Sequence, residues 1–386
     1  MFENLRTQFL LDPNIIFLNH GSFGACPRPV FEAYQKWQLE LEHQPVEFLG
    51  RRSMSLLENA RKSLGAYLNS PPEDIVYFPN PTTAINMVAR SLNLSPGDEI
   101  LTTDHEYGAM SRTWRFICKK SGAKYIQKPV PLPLTSKDEF IHNFWQGVTE
   151  RTRIIFISHI TSPTGLIFPV EEICKLAREV GILSIVDGAH TPGQIPVDLA
   201  NIGADIYTGA CHKWMMAPKG ASFLYAQKEV QVRLEPLVVS WGYTPDPGFG
   251  TGIRFIDNNE WQGTRDIAAY LSVPTAIEFM EANQWDKIRN TCHQLARYAL
   301  EKINKLTGMD SIYPDKGSWY GQMVSIRLPG VDVVAMQKKL YEKYHIEIPV
   351  MRWNDQPLIR VSIQAYNAKE DIDFLVDALN QLINYI

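Results

Sequence analysis

The sequence predicts an α/β fold, with a large domain built on a mainly parallel sheet and a smaller α+β domain at the carboxyl end. Three observations support this prediction. Short β-branched and apolar runs alternate with helical patterns through about the first 230 residues, which is typical of βαβ units. A Gly- and aromatic-rich segment with little periodicity follows, and after it come long helices and alternating strands. The length of 386 residues is sufficient for two units, each with its own core.

In chain order, the short apolar runs predict seven buried strands, at 75–78, 99–103, 124–130, 153–158, 182–187, 205–210 and 221–226. Helical spacing appears between them at 82–92, 111–122 and 170–181, and the last two of these patterns end in Gly, a usual helix stop. In the second part we predict helices at 267–283, 285–306 and 369–386, and strands at 321–329 and 357–364. The predicted large domain covers 20–275, and the small domain covers 1–19 and 276–386.

Composition excludes several classes of protein. The 38 Lys and Arg against 42 Asp and Glu give a net charge of −4, whereas a nucleic-acid-binding protein normally has a basic surplus. No apolar run is long enough to span a bilayer, and the first residues lack the features of a secretory signal. Five cysteines without paired spacing indicate a reduced, cytoplasmic enzyme. The histidines at the predicted strand ends lack metal-ligand spacing, so we expect no metal site.

Three polar sites follow predicted strands and are best considered together. Asp187 ends the strand in SIVDGAH, Lys213 follows the strand in DIYTGACHKW, and Thr82 and Thr83 stand between a strand and a helix. Taken singly, each has an ordinary explanation as a strand-end carboxylate, a solvated lysine or a helix cap. Because the carboxyl ends of parallel strands meet at one edge of a sheet, we expect all of them to face one crevice.

Together, these residues supply what pyridoxal 5′-phosphate needs. Its aldehyde forms a Schiff base with a lysine amine, and its pyridine nitrogen requires a carboxylate. Its phosphate requires hydroxyl groups and the N–H groups of a helix N-terminus. Lys213, Asp187 and the Thr82–Thr83 turn each provide one of these parts.

The ordered motifs TTAIN, DGAH, HK, QGT and IRVS-x-x-x-YN resemble the class V aminotransferase family of pyridoxal-phosphate enzymes. The resemblance extends from FLNHGSFG (17–24) to YNAKEDID (366–373). It implies fold type I, the fold of the aspartate aminotransferase superfamily. Within the family, FLNHGSFG, DHEYGAM and HKWMMAPKG most resemble isopenicillin N epimerase-like proteins.

The resemblance also implies roles for individual residues. Related enzymes often have a Ser three residues before the lysine as a further phosphate ligand, and this chain has Ala210 at that position. Lys213 would carry the cofactor and move the α-proton of an amino-acid substrate. Around the cofactor, the implied roles are pairing with the pyridinium (Asp187), contact with the 3-hydroxyl (His190, Ser162) and binding of the phosphate (Thr82, Thr83, His212). Thr264 would contact the phosphate of the cofactor bound by the partner subunit of a homodimer. The substrate would be bound by Arg360, through its α-carboxylate, and by Asn19.

An aromatic ring should stack on the outer face of the cofactor. Counting from Trp114 favours Tyr107 for this position, and His105 is the alternative by residue type. Tyr107 or His105 would also be the acid on the face opposite Lys213 that an epimerase requires. We also consider the aromatic loop at 241–261 as lining of the substrate pocket, and Arg51 or Arg52 as a partner for a distal carboxylate.

The sequence leaves the reaction open between epimerisation, which we favour, β-elimination at a C–S bond and transamination. Desulfuration through a protein persulfide is disfavoured, because the resemblance places the required cysteine shortly before Arg360 and the stretch 343–360 contains none. A fold reused for binding alone would be expected to lack Lys213 or Asp187, and both are present.

Overall fold

The computed structural model describes residues 3–246, 250–314 and 319–383. Its strands, in chain order, are β1 (Ile16–Phe17), β2 (Ile75–Phe78), β3 (Glu99–Thr103), β4 (Lys124–Lys128), β5 (Thr152–Ser158), β6 (Leu183–Gly188), β7 (Ile206–Ala210), β8 (Ser222–Ala226), β9 (Met323–Arg327), β10 (Ile346–Glu347), β11 (Val350–Trp353) and β12 (Gln356–Ser362).

The helices differ widely in length, from single turns to the 23 residues of the longest. They are α1 (Glu3–Arg6), α2 (His20–Phe23), α3 (Arg28–His43), α4 (Pro45–Glu47), α5 (Ser53–Leu68), α6 (Pro81–Ser91), α7 (Gly108–Ser121), α8 (Lys137–Trp145), α9 (Val170–Glu179), α10 (Leu199–Ile202), α11 (Lys228–Gln231), α12 (Arg254–Glu260), α13 (Ala268–Leu271), α14 (Val273–Ala282), α15 (Trp285–Thr307), α16 (Val333–Tyr344) and α17 (Lys369–Ile383). A π-helical turn (Phe48–Arg52) and a 3₁₀ turn (Pro72–Asp74) complete them. No helix of the described residues is long and apolar enough to cross a membrane.

The seven predicted strands of the first part form one sheet in the order β2-β8-β7-β6-β5-β3-β4. β8 is antiparallel to both of its neighbours, and the other pairs are parallel. The mainly parallel α/β architecture is therefore confirmed. β4 is shorter than predicted because Pro129 follows it, and proline cannot donate the next ladder hydrogen bond.

Helices cover both faces of this sheet. Val76 and Phe78 of β2 belong to one buried cluster, whereas Ile75 and Tyr77, on the opposite face, belong to another. A strand that is buried on both faces shows a continuous apolar run and no alternation, which is why IVYF could be recognised in the sequence.

The second unit is a three-stranded antiparallel sheet in the order β11-β12-β9, against which α15 and α16 pack. A tight turn at Asn354 and Asp355, both with positive φ, joins β11 to β12. Neither β11 nor this hairpin was predicted from the sequence. The predicted helix 267–283 is in fact two helices, because Pro274 opens α14.

One buried cluster contains Leu18, Ile157, Val324 and Leu379 and so continues from the large sheet into the small one. β12 reaches the large unit directly, since the Arg360 guanidinium donates to the Ser162 carbonyl at 2.7 Å. The exact division into 20–275 and 1–19 with 276–386 stays a prediction.

Candidate active site

A cavity of about 370 Å³ lies at the carboxyl edge of the large sheet. It is bordered by the loops after β2 and β3, by the ends of β5 and β6, by the segment after β7 and by α2. Seven residues that the sequence singled out line it: Thr82, Tyr107, Ser162, Asp187, His190, His212 and Lys213. The strand-end argument therefore identified residues that do share one crevice.

One end of the cavity is the N-terminus of α6. Asn80 caps this helix by accepting from the amide and the hydroxyl of Thr83, at 2.8 and 3.0 Å. The Thr83 hydroxyl is thus used in the cap and is not part of the cavity lining. Thr82 lines the cavity, and its hydroxyl has no protein partner among the described residues. The first turn of a helix carries partial positive charge, so this end suits an anion.

His212 lies at the same cavity. Burial lowers the pKa of its ring to about 4, so the ring is neutral. Nδ1 donates to the Ala221 carbonyl at 3.0 Å, which leaves Nε2 as the nitrogen available to a ligand. Ala210 is fully buried in β7 and offers no hydroxyl here.

The Lys213 amine contacts His190, and Trp214 holds the ring of His190 in place. Nζ lies 3.2 Å from His190 Nε2, and the Trp214 indole donates to His190 Nδ1 at 3.3 Å. Burial, together with the nearby charge of Arg360, lowers the pKa of Lys213 to about 8, although Asp187 raises it. A lysine with such a pKa is available as a neutral nucleophile or base near physiological pH.

Two residues that the sequence analysis did not single out fix the backbone of Lys213. His20 is buried and neutral, because burial lowers its pKa to about 3, and its Nε2 donates to the Lys213 carbonyl at 3.0 Å. Gly24 has φ of 70°, and a Cβ there would lie 2.1 Å from the His212 carbonyl oxygen. The HGSFG stretch (20–24) therefore packs α2 against the loop after β7, which carries Lys213.

Asp187 lies at the end of β6 and is buried. One carboxylate oxygen accepts from the Ala189 amide at 2.9 Å, and the other has no protein partner among the described residues. Burial raises its pKa, an effect partly opposed by Ala189 and Lys213. A buried carboxylate with a free oxygen facing a cavity is suited to a cationic ligand group.

Glu106 is a second buried carboxyl close to Asp187, and no sequence pattern singled it out. It accepts from the hydroxyls of Thr103 at 2.7 Å and Ser158 at 2.6 Å, and Ser158 lines the cavity. Burial is the main cause that raises its pKa to about 8, and the charge of Asp187 adds to the effect.

Arg360 is buried in β12 behind the cavity wall. Its guanidinium donates to the Ser162 carbonyl at 2.7 Å and to the Ser22 hydroxyl at 3.1 Å. The described chain gives it no carboxylate, and its Nε is buried without a partner. Burial lowers its pKa to about 10, and Tyr107 and Tyr313 partly oppose this shift. A buried cation without a counter-ion is costly unless a ligand supplies one.

Tyr107 and His105 have clearly different environments. Tyr107 precedes α7, is 48% exposed and lines the cavity. His105 is fully buried against Trp353, with 4.2 Å between ring centroids, and is not part of the lining. Only Tyr107 is therefore available to a cofactor in the cavity of this chain.

Several of the selected residues lie outside this cavity. Asn19 accepts from the Ser22 hydroxyl at 2.5 Å and donates to Glu347, so it contacts the neighbour of Arg360 and not the cavity itself. Thr264 is exposed and is not part of the lining. Arg52 pairs with Glu40 at 2.6 Å and with Glu47, and neither it nor Arg51 lines the cavity.

The described residues of the aromatic loop do not line the cavity of their own chain either. Trp241 and Tyr243 are exposed, and Phe255 is buried in α12. Trp261 is partly buried, and Phe249 lies outside the described residues.

The family model for aminotransferase class-V matches residues 16–375. The chain belongs to this family. It is 37% identical to isopenicillin N epimerase of Amycolatopsis lactamdurans over 394 residues, covering 99% of this chain and 98% of the relative. The isopenicillin N epimerase of Streptomyces clavuligerus is 36% identical with the same coverage. L-cysteine desulfhydrase of Arabidopsis thaliana is 28% identical, covering 95% of this chain and 87% of the relative.

Solved structures agree in fold. A cysteine desulfurase from Thermococcus onnurineus superposes with a TM-score of 0.85 at 21% identity, covering 100% of this chain and 98% of that one. A cystine C–S lyase in complex with its product cysteine persulfide gives 0.82 at 23% identity, covering 95% and 98%. This class-V chain therefore has the fold type I architecture.

The family is one of pyridoxal-phosphate enzymes, and the cavity of this chain fits that cofactor. Asp187 offers an unpaired carboxylate oxygen for the pyridine nitrogen. The start of α6, with the free hydroxyl of Thr82, suits the phosphate. Lys213 lines the same cavity, with an amine whose pKa is near 8.

Proposed function

We propose that this enzyme epimerises the α-carbon of an amino acid, with Lys213 and Tyr107 moving protons on opposite faces. The observation that carries the proposal is the position of the buried, unpaired Arg360 next to a cavity lined by both of these residues. The similarity to two isopenicillin N epimerases along nearly the whole chain supports it.

The two proton carriers enter the cavity from different strands. Lys213 follows β7 and Tyr107 follows β3, and β6 and β5 lie between those strands. Three inter-strand spacings separate β7 from β3, which is about 14 Å across the sheet. Asp187, which would hold the cofactor, lies on β6 between those two strands, so the two side chains approach the cavity from opposite sides of it, as inversion requires.

Arg360 gives the substrate its orientation in this proposal. A guanidinium forms two parallel hydrogen bonds with a carboxylate, and the buried Nε of Arg360, which has no partner among the described residues, favours such a ligand. Ser22 and Ser162 hold the guanidinium through its other nitrogens, so it does not need to reorganise. An α-carboxylate bound there would orient Cα towards the cavity.

The cofactor, when bound, supplies an electron sink that acidifies the α-proton of an attached amino acid. Lys213 then takes the proton from one face of Cα, and Tyr107 delivers another to the opposite face. No bond to sulfur breaks and no net oxidation occurs, so substrate and product differ only in configuration.

The test is incubation of the holoenzyme with isopenicillin N in deuterated water. We expect deuterium at the α-carbon, measured by NMR, together with mixed configuration at that carbon, measured by chiral chromatography. Lys213→Ala should abolish both. Deuterium incorporation with full retention of configuration would contradict the epimerase proposal while leaving the role of Lys213 intact.

β-Elimination at a C–S bond is the second candidate. It is supported by the likeness to L-cysteine desulfhydrase. The same holoenzyme incubated with L-cysteine would then release sulfide, pyruvate and ammonia in equal amounts. Transamination, the third possibility, would convert the cofactor to its amine form, which absorbance reveals.

A protein persulfide is disfavoured. The stretch 343–360 contains no cysteine, and its second half is the β11–β12 hairpin. Cys211, which is close in sequence to Lys213, is fully buried, and burial raises the pKa of its thiol. A thiol of this kind is a poor nucleophile.

We also propose a homodimer in the cytoplasm. Thr264 is exposed away from the cavity of its own chain, and Phe23, which lines that cavity, is 72% exposed. A second copy would cover the aromatic ring and bring its own Thr264 to the phosphate. Light scattering should give twice the mass of one chain, and a monomer with full activity would contradict this part.

A further inference from the structure

His105 lies between three segments that each carry part of the active site. Two residues after it comes Tyr107. Its ring contacts Trp353 at the tip of the β11–β12 hairpin, and its Nδ1 lies 2.7 Å from the hydroxyl of Thr164. Thr164 belongs to the turn that contains Ser162, on which Arg360 rests.

The hydrogen bonds of this cluster have only one possible direction. Burial lowers the pKa of His105 to about 4, so the ring is neutral. Its Nε2 faces the Val130 carbonyl at 3.3 Å and must donate, which makes Nδ1 the acceptor. Thr164 therefore donates to His105, and Thr161 donates in turn to Thr164 at 2.7 Å. The Leu166 amide, donating to Thr161 at 2.9 Å, begins the chain.

The hairpin tip is tied to the same place by polar contacts. The Trp353 indole donates to the Asp104 carbonyl at 3.2 Å, and the Asn354 amide donates to the Asp104 carboxylate at 2.8 Å. From Gln356, which pairs with Trp353, β12 runs four residues to Arg360, about 13 Å at the usual rise. The hairpin is thus anchored at one end beside Tyr107 and carries Arg360 at the other.

We propose that His105 is a positioning residue: its hydrogen-bonded chain through Thr164 and its contact with Trp353 hold the Tyr107 loop in fixed register with Ser162 and Arg360. This inference rests on the proposed function, because it assumes that Tyr107 and Arg360 act on one substrate. If the register is lost, Lys213 still exchanges the α-proton, but delivery from the opposite face becomes less efficient. The ratio of inversion to exchange is therefore the quantity that depends on His105.

The test uses Thr164→Val, which removes the hydroxyl donor and keeps the shape of the side chain. Thr113→Val is the matched control, because Thr113 is also a buried threonine whose hydroxyl is hydrogen-bonded: it donates to the Ala109 carbonyl at 3.0 Å and accepts from the Asn86 amide at 3.1 Å. For the holoenzyme with isopenicillin N in deuterated water, we expect Thr164→Val to lower inversion per α-exchange roughly fivefold, the effect typical of one neutral hydrogen bond. Thr113→Val should leave the ratio unchanged.

Backbone amide exchange provides a second measurement that does not depend on turnover. Thr164→Val should speed exchange at 104–107 roughly fivefold, with no comparable change at 104–107 in Thr113→Val. Trp353→Phe, which removes the indole donor and part of the ring that packs against His105, should give the same local signature. A wild-type protein without α-exchange would contradict the proposed function, and the amide measurement would then decide the role of His105 alone. Equal losses of inversion and exchange, or amide exchange that is unchanged at 104–107, would overturn the inference.

Discussion

Replacing Trp214 by Phe tests how the pKa of the Lys213 amine is kept low. The indole donates to His190 Nδ1, so the neutral imidazole carries its proton on Nε2, 3.2 Å from Lys213 Nζ. A proton in that position can be donated only to a neutral amine, and it disfavours the ammonium form. Without the indole donor, the imidazole can carry its proton on Nδ1 and accept from the ammonium through Nε2. The pKa of Lys213 should therefore rise.

The size of the effect follows from the value of one hydrogen bond. A neutral hydrogen bond contributes about 1 kcal/mol, which corresponds to about 0.7 pKa unit. With a starting pKa of about 8, roughly a tenth of Lys213 is neutral at pH 7. After the substitution, roughly a fiftieth would be neutral. Lys213 should then capture pyridoxal phosphate about fivefold more slowly at pH 7, with the difference vanishing above roughly pH 10.

The assay is the rate of absorbance change when apoenzyme is mixed with pyridoxal phosphate, measured from pH 6 to pH 10. Trp114→Phe is the matched control, because Trp114 is equally buried and its indole nitrogen has no partner among the described residues. The ionisation of the free cofactor is common to all variants and cancels in the ratio of rates. Equal rates for Trp214→Phe and wild type at pH 7, or an equal slowing by Trp114→Phe, would refute the reasoning.

Three further predictions concern the substrate end, the lysine loop and the cysteines. Arg360→Gln should raise KM for isopenicillin N roughly 100-fold, since two charge-assisted bonds of about 1.5 kcal/mol each are lost. The free energy of unfolding in urea should not fall by a comparable amount, because the buried cation has no carboxylate partner in the described chain. A parallel fall in the free energy of unfolding would contradict this account. Gly24→Ala should lower the free energy of unfolding by about 2 kcal/mol or more, because Gly24 has positive φ and the added Cβ would lie 2.1 Å from the His212 carbonyl oxygen. The substitution should also weaken binding of the cofactor. An unchanged melting temperature is the opposing result. Cys211→Ala should leave kcat within about twofold, because burial raises the pKa of the thiol; loss of turnover, with cofactor loading intact, would revive persulfide chemistry.

The parts of the site that the sequence revealed are those where chemistry and strand pattern coincide. Asp187 and Lys213 follow continuous apolar runs, so the sheet places them at one edge whatever the details of packing. Thr83 is different, because a hydroxyl that caps a helix and one that faces the cavity have the same sequence signature. His20 was missed since its role is to hold a carbonyl, which no spacing reveals.

The hairpin was missed for a related reason. Its turn uses Asn354 and Asp355, residues that tolerate positive φ, but the flanking strands alternate only weakly. Its tip also contacts Asp104 in the other unit, and this contact is not local in sequence. The same distance in sequence separates His105 from Trp353, so an aromatic stacking role for the histidine was a reasonable alternative until the packing was known.

The reversed direction of β8 constrains how the lysine can move. Because β8 is antiparallel to β7, with Ala210 paired to Ser222, the connection between them leaves and re-enters the sheet at the same edge. Bonds within that connection, from Ala217 to Cys211 at 3.0 Å and from His212 to Ala221 at 3.1 Å, close it further. The loop is therefore fixed at both ends, because each end continues into a strand of the sheet. Any travel that Lys213 makes during a turnover must therefore come from rotations about its own side-chain bonds, while the main chain stays still.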